Sequence, residues 1–310
     1  MRITIMGSGG VGGYFGARLA QAGCDVSFVA RGAQLAALRD NGLRIESPLG
    51  NLHLPKVQVT DRPADIAGGA DLVLLGVKLW DTESAAAAIR PLIGAETAVV
   101  SFQNGVVKDD IVRGVLGAGS VIGGVCYIGA SIAAPGVIRH TGQMQKLVFG
   151  EFDGSSSLRV TRLRDACAAA GIDHALSPQI RRVQWEKFVF LVGLSATTAT
   201  ARLPIGAIRT NPRARAFLHD LMDEVVQVAR AEGVDLPADF AADRMAFCDQ
   251  LPEAMTSSMH HDLERGGRLE VNWLSGDVVQ RGLRLGIATP CNRAVFDLLS
   301  VRSEGLAAAA

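Results

Sequence analysis

Residues 1–22, MRITIMGSGGVGGYFGARLAQA, decide the fold. Arg2–Met6 alternates and is rich in β-branched residues, so it reads as a short strand. Gly7-Ser8-Gly9-Gly10-Val11-Gly12 then fits G-x-G-x-x-G, and Val11, Phe15 and Leu19 continue at helical spacing. Gly7 permits a tight turn, Gly9 lets the backbone approach a pyrophosphate, and Gly12 lets the helix pack closely on the strand. The first helical turn offers unpaired N–H groups and a positive dipole end to phosphates. With 35 glycines in the chain, chance matches occur; this one gains meaning from lying between a strand and a helix.

A chain of 310 residues suggests about two domains. It is 48% apolar and 20% charged with zero net charge, which argues against a nucleic-acid or membrane-surface binder. Five scattered cysteines without a C-x-x-C read as reduced, mostly buried thiols of a cytosolic protein. The first residues lack a basic segment followed by an unbroken apolar run, so a cytoplasmic location is expected. Residues 115–138 carry no charge and are long enough to span a bilayer. Their six glycines and Pro135 point instead to buried strands and turns.

Downstream, residues 25–30 (DVSFVA) form a second strand. An acid just past it would bind the ribose hydroxyls of NAD, and an arginine would accept the 2′-phosphate of NADP. Ala30-Arg31-Gly32 stands there, so NADP (NADPH) is expected; a solvated loop arginine is the plainer alternative. A helix over 34–41 and a β-excursion over 42–59 follow. Residues 71–77 (DLVLLGV) read as a strand covered on both faces, with Lys78 at its carboxyl end, where open α/β sheets hold ligands. Asn104 follows the strand at 97–102 in the same way, although Asn-Gly also forms turns for local reasons.

Strand-like segments at 120–128 and 147–152 and a helix at 158–170 complete this part. From about Ser177 only helices are expected: 179–198, 212–232 (capped by Asn211, ended by Gly233), 238–250, 253–265, 270–285 and 291–301. The tail 307–310 is expected to fray. The chain thus reads as α/β, a dinucleotide-binding domain at 1–176 followed by an all-α domain at 177–310.

The first domain contains no evident acid or base. Lys187 is the last cation before an uncharged run, 188–201. A lysine there either snorkels or, desolvated, is tuned for proton transfer. Glu270 opens a helix, a position that suits a carboxylate for the dipole alone. His260-His261, read as lying on a surface helix, have poor ligand spacing, and no metal site is expected.

Together, GSGGVG at 7–12, Arg31, GVK ending at Lys78 and QNG with Asn104 resemble the ketopantoate reductase (2-dehydropantoate 2-reductase) family. The turn GASIAAPGVIRHTG at 129–142 with Ala130, WEK ending at Lys187, and SSMHHDLERGGRLEVNWLSG at 257–276 extend the likeness over nearly the whole chain. The resemblance implies an N-terminal Rossmann-type domain, a helical C-terminal domain, and NADPH-dependent reduction of 2-dehydropantoate to pantoate, a step of pantothenate biosynthesis. It implies that Gly7, Ser8, Gly9, Gly10, Val11, Gly12, Arg31, Lys78, Asn104, Ala130 and Glu270 meet the cofactor. It makes Lys187, Glu270 and Asn104 catalytic, with Lys187 the proton donor. Asn104, Lys187, Leu191, Ser195 and Ser258 would line the substrate, Ser258 near its carboxylate. A nearby carboxylate such as Glu270 would keep the ammonium charged, where burial alone would discharge it.

The chain also departs from the family. Where pantoate enzymes carry asparagines one and two turns beyond the lysine, it has Leu191 and Ser195, and Met255 replaces a third. Leu191 and Ser195 lie four and eight residues past Lys187 and share its helix face. A pocket with fewer amides leaves fewer groups unpaired with a substrate lacking hydroxyls. The expected substrate is a 2-keto acid more apolar than ketopantoate, branched or aromatic. The alternatives are a D-2-hydroxy acid (mandelate-like) dehydrogenase using NAD and a non-catalytic NADP-binding sensor. A methyltransferase is a weaker alternative, because it needs a ribose-binding acid after the second strand and this chain has none there. The helical domain's apolar segments suit a core and a homodimer interface equally.

Overall fold

The structure, a computed structural model, describes residues 1–305, so the tail at 307–310 lies outside it. The described residues form two compact units, one of 1–104 and 108–181, the other of 105–107 and 182 onward.

The first unit is built on a ten-stranded sheet. Its strands are β1 (Arg2–Met6), β2 (Asp25–Val29), β3 (Leu43–Glu46), β4 (Leu52–Leu54), β5 (Gln58–Thr60), β6 (Leu72–Leu75), β7 (Ala98–Ser101), β8 (Val121–Ala134), β9 (Val137–Gly150) and β10 (Asp173–Leu176). The order is β4-β3-β9-β8-β7-β6-β1-β2-β5, with β10 beside β9. The run from β8 through β7, β6, β1 and β2 to β5 is parallel. Helices α1 (Gly10–Gln21), α2 (Gly32–Asn41), α3 (Thr82–Ile89), α4 (Val107–Leu116) and α5 (Leu158–Ala169) make the crossovers.

Period-two alternation sorts the core onto the two faces of the sheet. Leu72 and Leu74 join Phe15, Leu38 and Leu163, from α1, α2 and α5, on one face. Val73 and Leu75 join Ala86, Ile89 and Val112, from α3 and α4, on the other. This is the doubly wound α/β arrangement that the continuous apolar run of β6 requires.

The stretch read as a turn around Ala130 is a correction to the sequence reading. β8 and β9 form one long antiparallel hairpin, Ala130 lies inside β8 opposite His140, and the bend is confined to Pro135 and Gly136. Glycines inside β8 mark close approaches: a Cβ on Gly129 would stand 2.9 Å from Thr141 Oγ1 across the hairpin. A Cβ on Gly124 would stand 2.4 Å from Val100 Cγ2 and 2.8 Å from the Phe102 ring, so only glycine lets β8 lie flat there.

An ion pair pins the far edge of this unit. Arg159 grips the buried Glu151 through Nε–Oε1 and Nη2–Oε2 contacts of 2.7 Å each, and Ser157 also donates to Oε1. Burial pushes the Glu151 carboxyl up, and the hydrogen bonds from Arg159 and Ser157 outweigh it, holding the group below its ordinary 4.5. A carboxyl depressed on folding stabilises the protein above its unfolded pKa and loses that contribution as pH falls. Glu151→Gln should cost about 2 kcal/mol at pH 7, an effect of hydrogen bonds to a charged group. In denaturant titrations the difference should shrink steadily below pH 4.5.

The second unit is all helical: α6 (Ile180–Ala201, the first residues belonging to unit one), α7 (Ile205–Thr210), α8 (Pro212–Ala231), α9 (Phe240–Asp249), α10 (Ser258–Glu264), α11 (Ser275–Leu285) and α12 (Pro290–Ser300). The Asn211 side chain caps α8 by accepting from the N–H groups of Arg213 and Ala214, and Gly233 (φ +80°) follows its end. Leu218, Leu221, Met222, Val225 and Ala229 give α8 its buried stripe. α6 packs against it at Gly193, where a Cβ would lie 2.6 Å from Met222 Cγ.

Two expectations need correcting here. Residues 270–285 are a 3-10 turn (Glu270–Trp273) and α11, interrupted at Leu274, whose backbone (φ −107°, ψ −100°) leaves the helical region with its side chain buried. His260, read as a surface residue, is buried, its Nδ1 2.8 Å from the Thr198 carbonyl. It can be buried because α10 docks on α6 through polar contacts, Thr198 Oγ1 lying 3.0 Å from Ser257 Oγ.

Candidate active site

In the first unit the glycine turn closes as its residue types demand. Gly7 has φ +101°, and a Cβ there would fall 2.7 Å from the Val77 nitrogen. The N–H groups of Gly7 and Ser8 and the Ser8 hydroxyl all donate to the Val29 carbonyl, tying the turn to the end of β2. A Cβ on Gly12 would lie 2.2 Å from the Gly7 carbonyl oxygen, and one on Gly10 would lie 2.3 Å from that of Ala130. These glycines are dictated by the protein's own backbone.

Gly9 is different. Among the described residues nothing lies within 4 Å of where its Cβ would be, and it heads α1 without a side-chain cap. The first turn of α1, from Gly10 through Val11 and Gly12, carries no acid. Open space before an uncapped, acid-free helix start fits the pyrophosphate of a dinucleotide.

Lys78 and Asn104 follow the carboxyl ends of the adjacent strands β6 and β7. Between them is a residue that the sequence reading passed over. Buried Gln103 donates through Nε2 to the Val77 carbonyl (2.9 Å) and to Thr82 Oγ1 (2.8 Å), locking the ends of β6 and β7 to each other. Lys78 is exposed, its ammonium 5.6 Å from the centre of the Trp80 ring. Asn104 is half-buried.

Two further residues, Lys108 and Gln34, brace this edge without having been singled out. Lys108, 1% exposed, donates to the carbonyls of Ser101 (2.9 Å) and Gly124 (3.1 Å) and to Asp109 Oδ2 (2.9 Å). The β7–β8 ladder pairs only Val99 with Val121 and Val100 with Ile122, so Lys108 bridges the strands where they part. Gln34 donates to the Ser8 carbonyl and accepts from the Gly136 N–H, tying the glycine turn to the hairpin bend. Arg31, at the head of α2, has its Nη2 2.8 Å from Asp81 Oδ2. A polar groove of about 410 Å³ beside Arg2, Asp25 and Asp65 lies near the amino ends of β1 and β2, away from this edge.

In the second unit α6 carries Lys187, Leu191 and Ser195 on one face, of which the first two are partly buried. Trp185 and Phe188 beside Lys187 meet edge to face at 5.6 Å and anchor this part of the helix in the core. Ser195 is 1% exposed, and its hydroxyl has no hydrogen-bond partner among the described residues. Ser258, exposed, is the first residue of α10 and is brought beside α6 by the contacts of Thr198 with Ser257 and His260. Met255 is 38% exposed. Glu270, 6% exposed, opens the 3-10 turn before α11. A carboxylate that deep has to be compensated by donors or a cation.

A family model described as ketopantoate reductase PanE/ApbA matches residues 3–154, and its C-terminal counterpart matches 179–303. Every residue named above as a site candidate falls within these two ranges. A 2-dehydropantoate 2-reductase of Archaeoglobus fulgidus is 34% identical over 98% of this chain and 99% of its own. The crystal structure of a PanE/ApbA family ketopantoate reductase from Ralstonia eutropha JMP134 superposes with a TM-score of 0.89 at 36% identity, covering 98% of both chains. D-mandelate dehydrogenase, solved with NADH and anilino(oxo)acetate, shares the fold at a TM-score of 0.89 and 20% identity, covering 98% of both chains.

Proposed function

Because the chain belongs to the ketopantoate reductase PanE/ApbA family, we propose that it is an NADPH-dependent reductase converting a 2-keto acid to a 2-hydroxy acid. The observation that carries this reading is the open cradle at Gly9, set beside a strand edge that carries Lys78 and Asn104. When bound, the nicotinamide supplies a hydride to C2 of the keto acid. The carbonyl oxygen takes a proton, so that keto acid, NADPH and a proton become hydroxy acid and NADP.

The chain's residues divide the remaining work. The backbone from Gly7 to Gly12 receives the pyrophosphate, Arg31 the 2′-phosphate, and Lys78 and Ala130 flank the nucleotide. Lys187 gives its proton to the carbonyl oxygen and stabilises the alkoxide charge that develops there. Glu270 keeps that ammonium protonated, Asn104 orients the carbonyl, and Ser258 binds the carboxylate.

The side chain that this site accepts is more apolar than that of ketopantoate. Leu191 stands where the resemblance expects an amide, and the Ser195 hydroxyl is buried, so the α6 face offers little hydrogen bonding to substrate hydroxyls. Initial rates with ketopantoate, 2-ketoisovalerate and phenylglyoxylate test this. The kcat/KM for one of the latter two should exceed that for ketopantoate by about 10-fold, the order that a pocket's fit to an apolar group supplies. A clear preference for ketopantoate would remove the apolar reading and leave the reductase reading standing.

A further inference from the structure

The end of β2 lacks an acid in sequence, yet the fold brings one there. Asp81 closes the 3-10 turn Leu79–Asp81 that follows β6, and its Oδ2 lies 2.8 Å from Arg31 Nη2. Asp81 is also the N-cap residue of α3, a position where an aspartate usually accepts from the helix's own N–H groups. This one makes no such bond; its carboxylate faces Arg31 instead. Its backbone is fixed, because its N–H donates to the Lys78 carbonyl and its carbonyl accepts from Ser84 Oγ. The pair is accessible to a ligand: the Arg31 side chain is 71% exposed and that of Asp81 28%.

We propose that Asp81 is a specificity-determining residue for the nucleotide, competing with the 2′-phosphate for Arg31 and offering a ribose hydroxyl an acceptor when that phosphate is absent. The inference rests on the proposed binding of a nicotinamide nucleotide at the glycine turn. A phosphate monoester brings a charge of about −1.5 to −2 at pH 7 to a guanidinium that already serves one anion. The two anions then repel across the same cation. A ribose hydroxyl can instead donate to the carboxylate, as it does to the acid at the end of β2 in NAD sites. The consequence is weak discrimination: NADPH is preferred by a small factor, and NADH is accepted.

Nucleotide fluorescence titrations of the intact protein measure this without any keto acid. Wild type should bind NADPH and NADH within about 10-fold of each other. Removing the carboxylate charge with Asp81→Asn should tighten NADPH about 5-fold and weaken NADH about 2-fold, the scale of a charge contact near a surface. The NADPH shift should fade in high salt. An exposed ion pair contributes little to folding, so the melting temperature of the variant should match wild type and serve as the control. An unchanged NADPH-to-NADH ratio in Asp81→Asn overturns the inference and leaves the nucleotide reading intact. Failure of wild type to bind either nucleotide overturns both.

Discussion

Lys187→Ala should lower kcat about 1,000-fold while leaving the NADPH dissociation constant within about 2-fold of wild type, the signature of a lost proton donor. The residue is well suited to this dissection. It is only partly buried on α6, and the packing around it is carried by Trp185, Phe188 and Val189, which the substitution leaves in place. Folding should therefore survive. An interaction made mainly in the transition state lowers kcat and kcat/KM together, whereas lost substrate binding raises KM at constant kcat. Stopped-flow rates and nucleotide titration on one preparation separate these outcomes. A variant that keeps more than about a tenth of wild-type kcat would exclude Lys187 as the donor.

Gly9→Ala should weaken nucleotide binding about 10- to 100-fold and leave the melting temperature of the free protein unchanged, the effect of one methyl forced against a bound group. The prediction follows from an asymmetry within the turn. At Gly9 a methyl enters empty space, with backbone angles (φ −82°, ψ −158°) open to any residue, so only a bound pyrophosphate would meet it. At Gly10 and Gly12 the same methyl strikes the Ala130 and Gly7 carbonyls at 2.3 and 2.2 Å, so those alanine variants should lose stability as well. Calorimetry beside nucleotide titration of the three variants distinguishes a ligand cradle from a packing requirement. Equal destabilisation in all three would mean that Gly9 serves the fold alone.

What could be read from sequence, and what could not, follows the range of the interactions. The strand, glycine turn and helix of residues 1–22 and the Asn211 cap are written in neighbouring residues, and the structure contains them as read. The full length of the β8–β9 hairpin was hidden because residues 129–142, with glycines at 129, 136 and 142, read as one turn, whereas only Pro135 and Gly136 make the bend. Leu274 itself, where the helical stretch breaks, is neither Gly nor Pro, and its side chain is buried. The polar braces were invisible for a similar reason. Asp81 meets Arg31 across 50 residues, Gln103 meets the Val77 carbonyl across 26, and Lys108 meets Gly124 across 16. Each is an ordinary polar residue until the sheet brings its partner within reach. A buried-strand end followed by Gln or Lys is the one local hint, since such a group must find a partner.

The central claim is hydride transfer from NADPH to C2 of a 2-keto acid. Carrying out the keto-acid assay with NADPH deuterated at the transferring position of C4, and weighing the product, tests it most directly. The account predicts a 2-hydroxy acid carrying one deuterium at C2, formed one for one with the nucleotide oxidised. A protein that binds NADPH tightly but leaves every keto acid of the panel unreduced and unlabelled would contradict it, and would identify the chain as a nucleotide sensor built on a reductase fold.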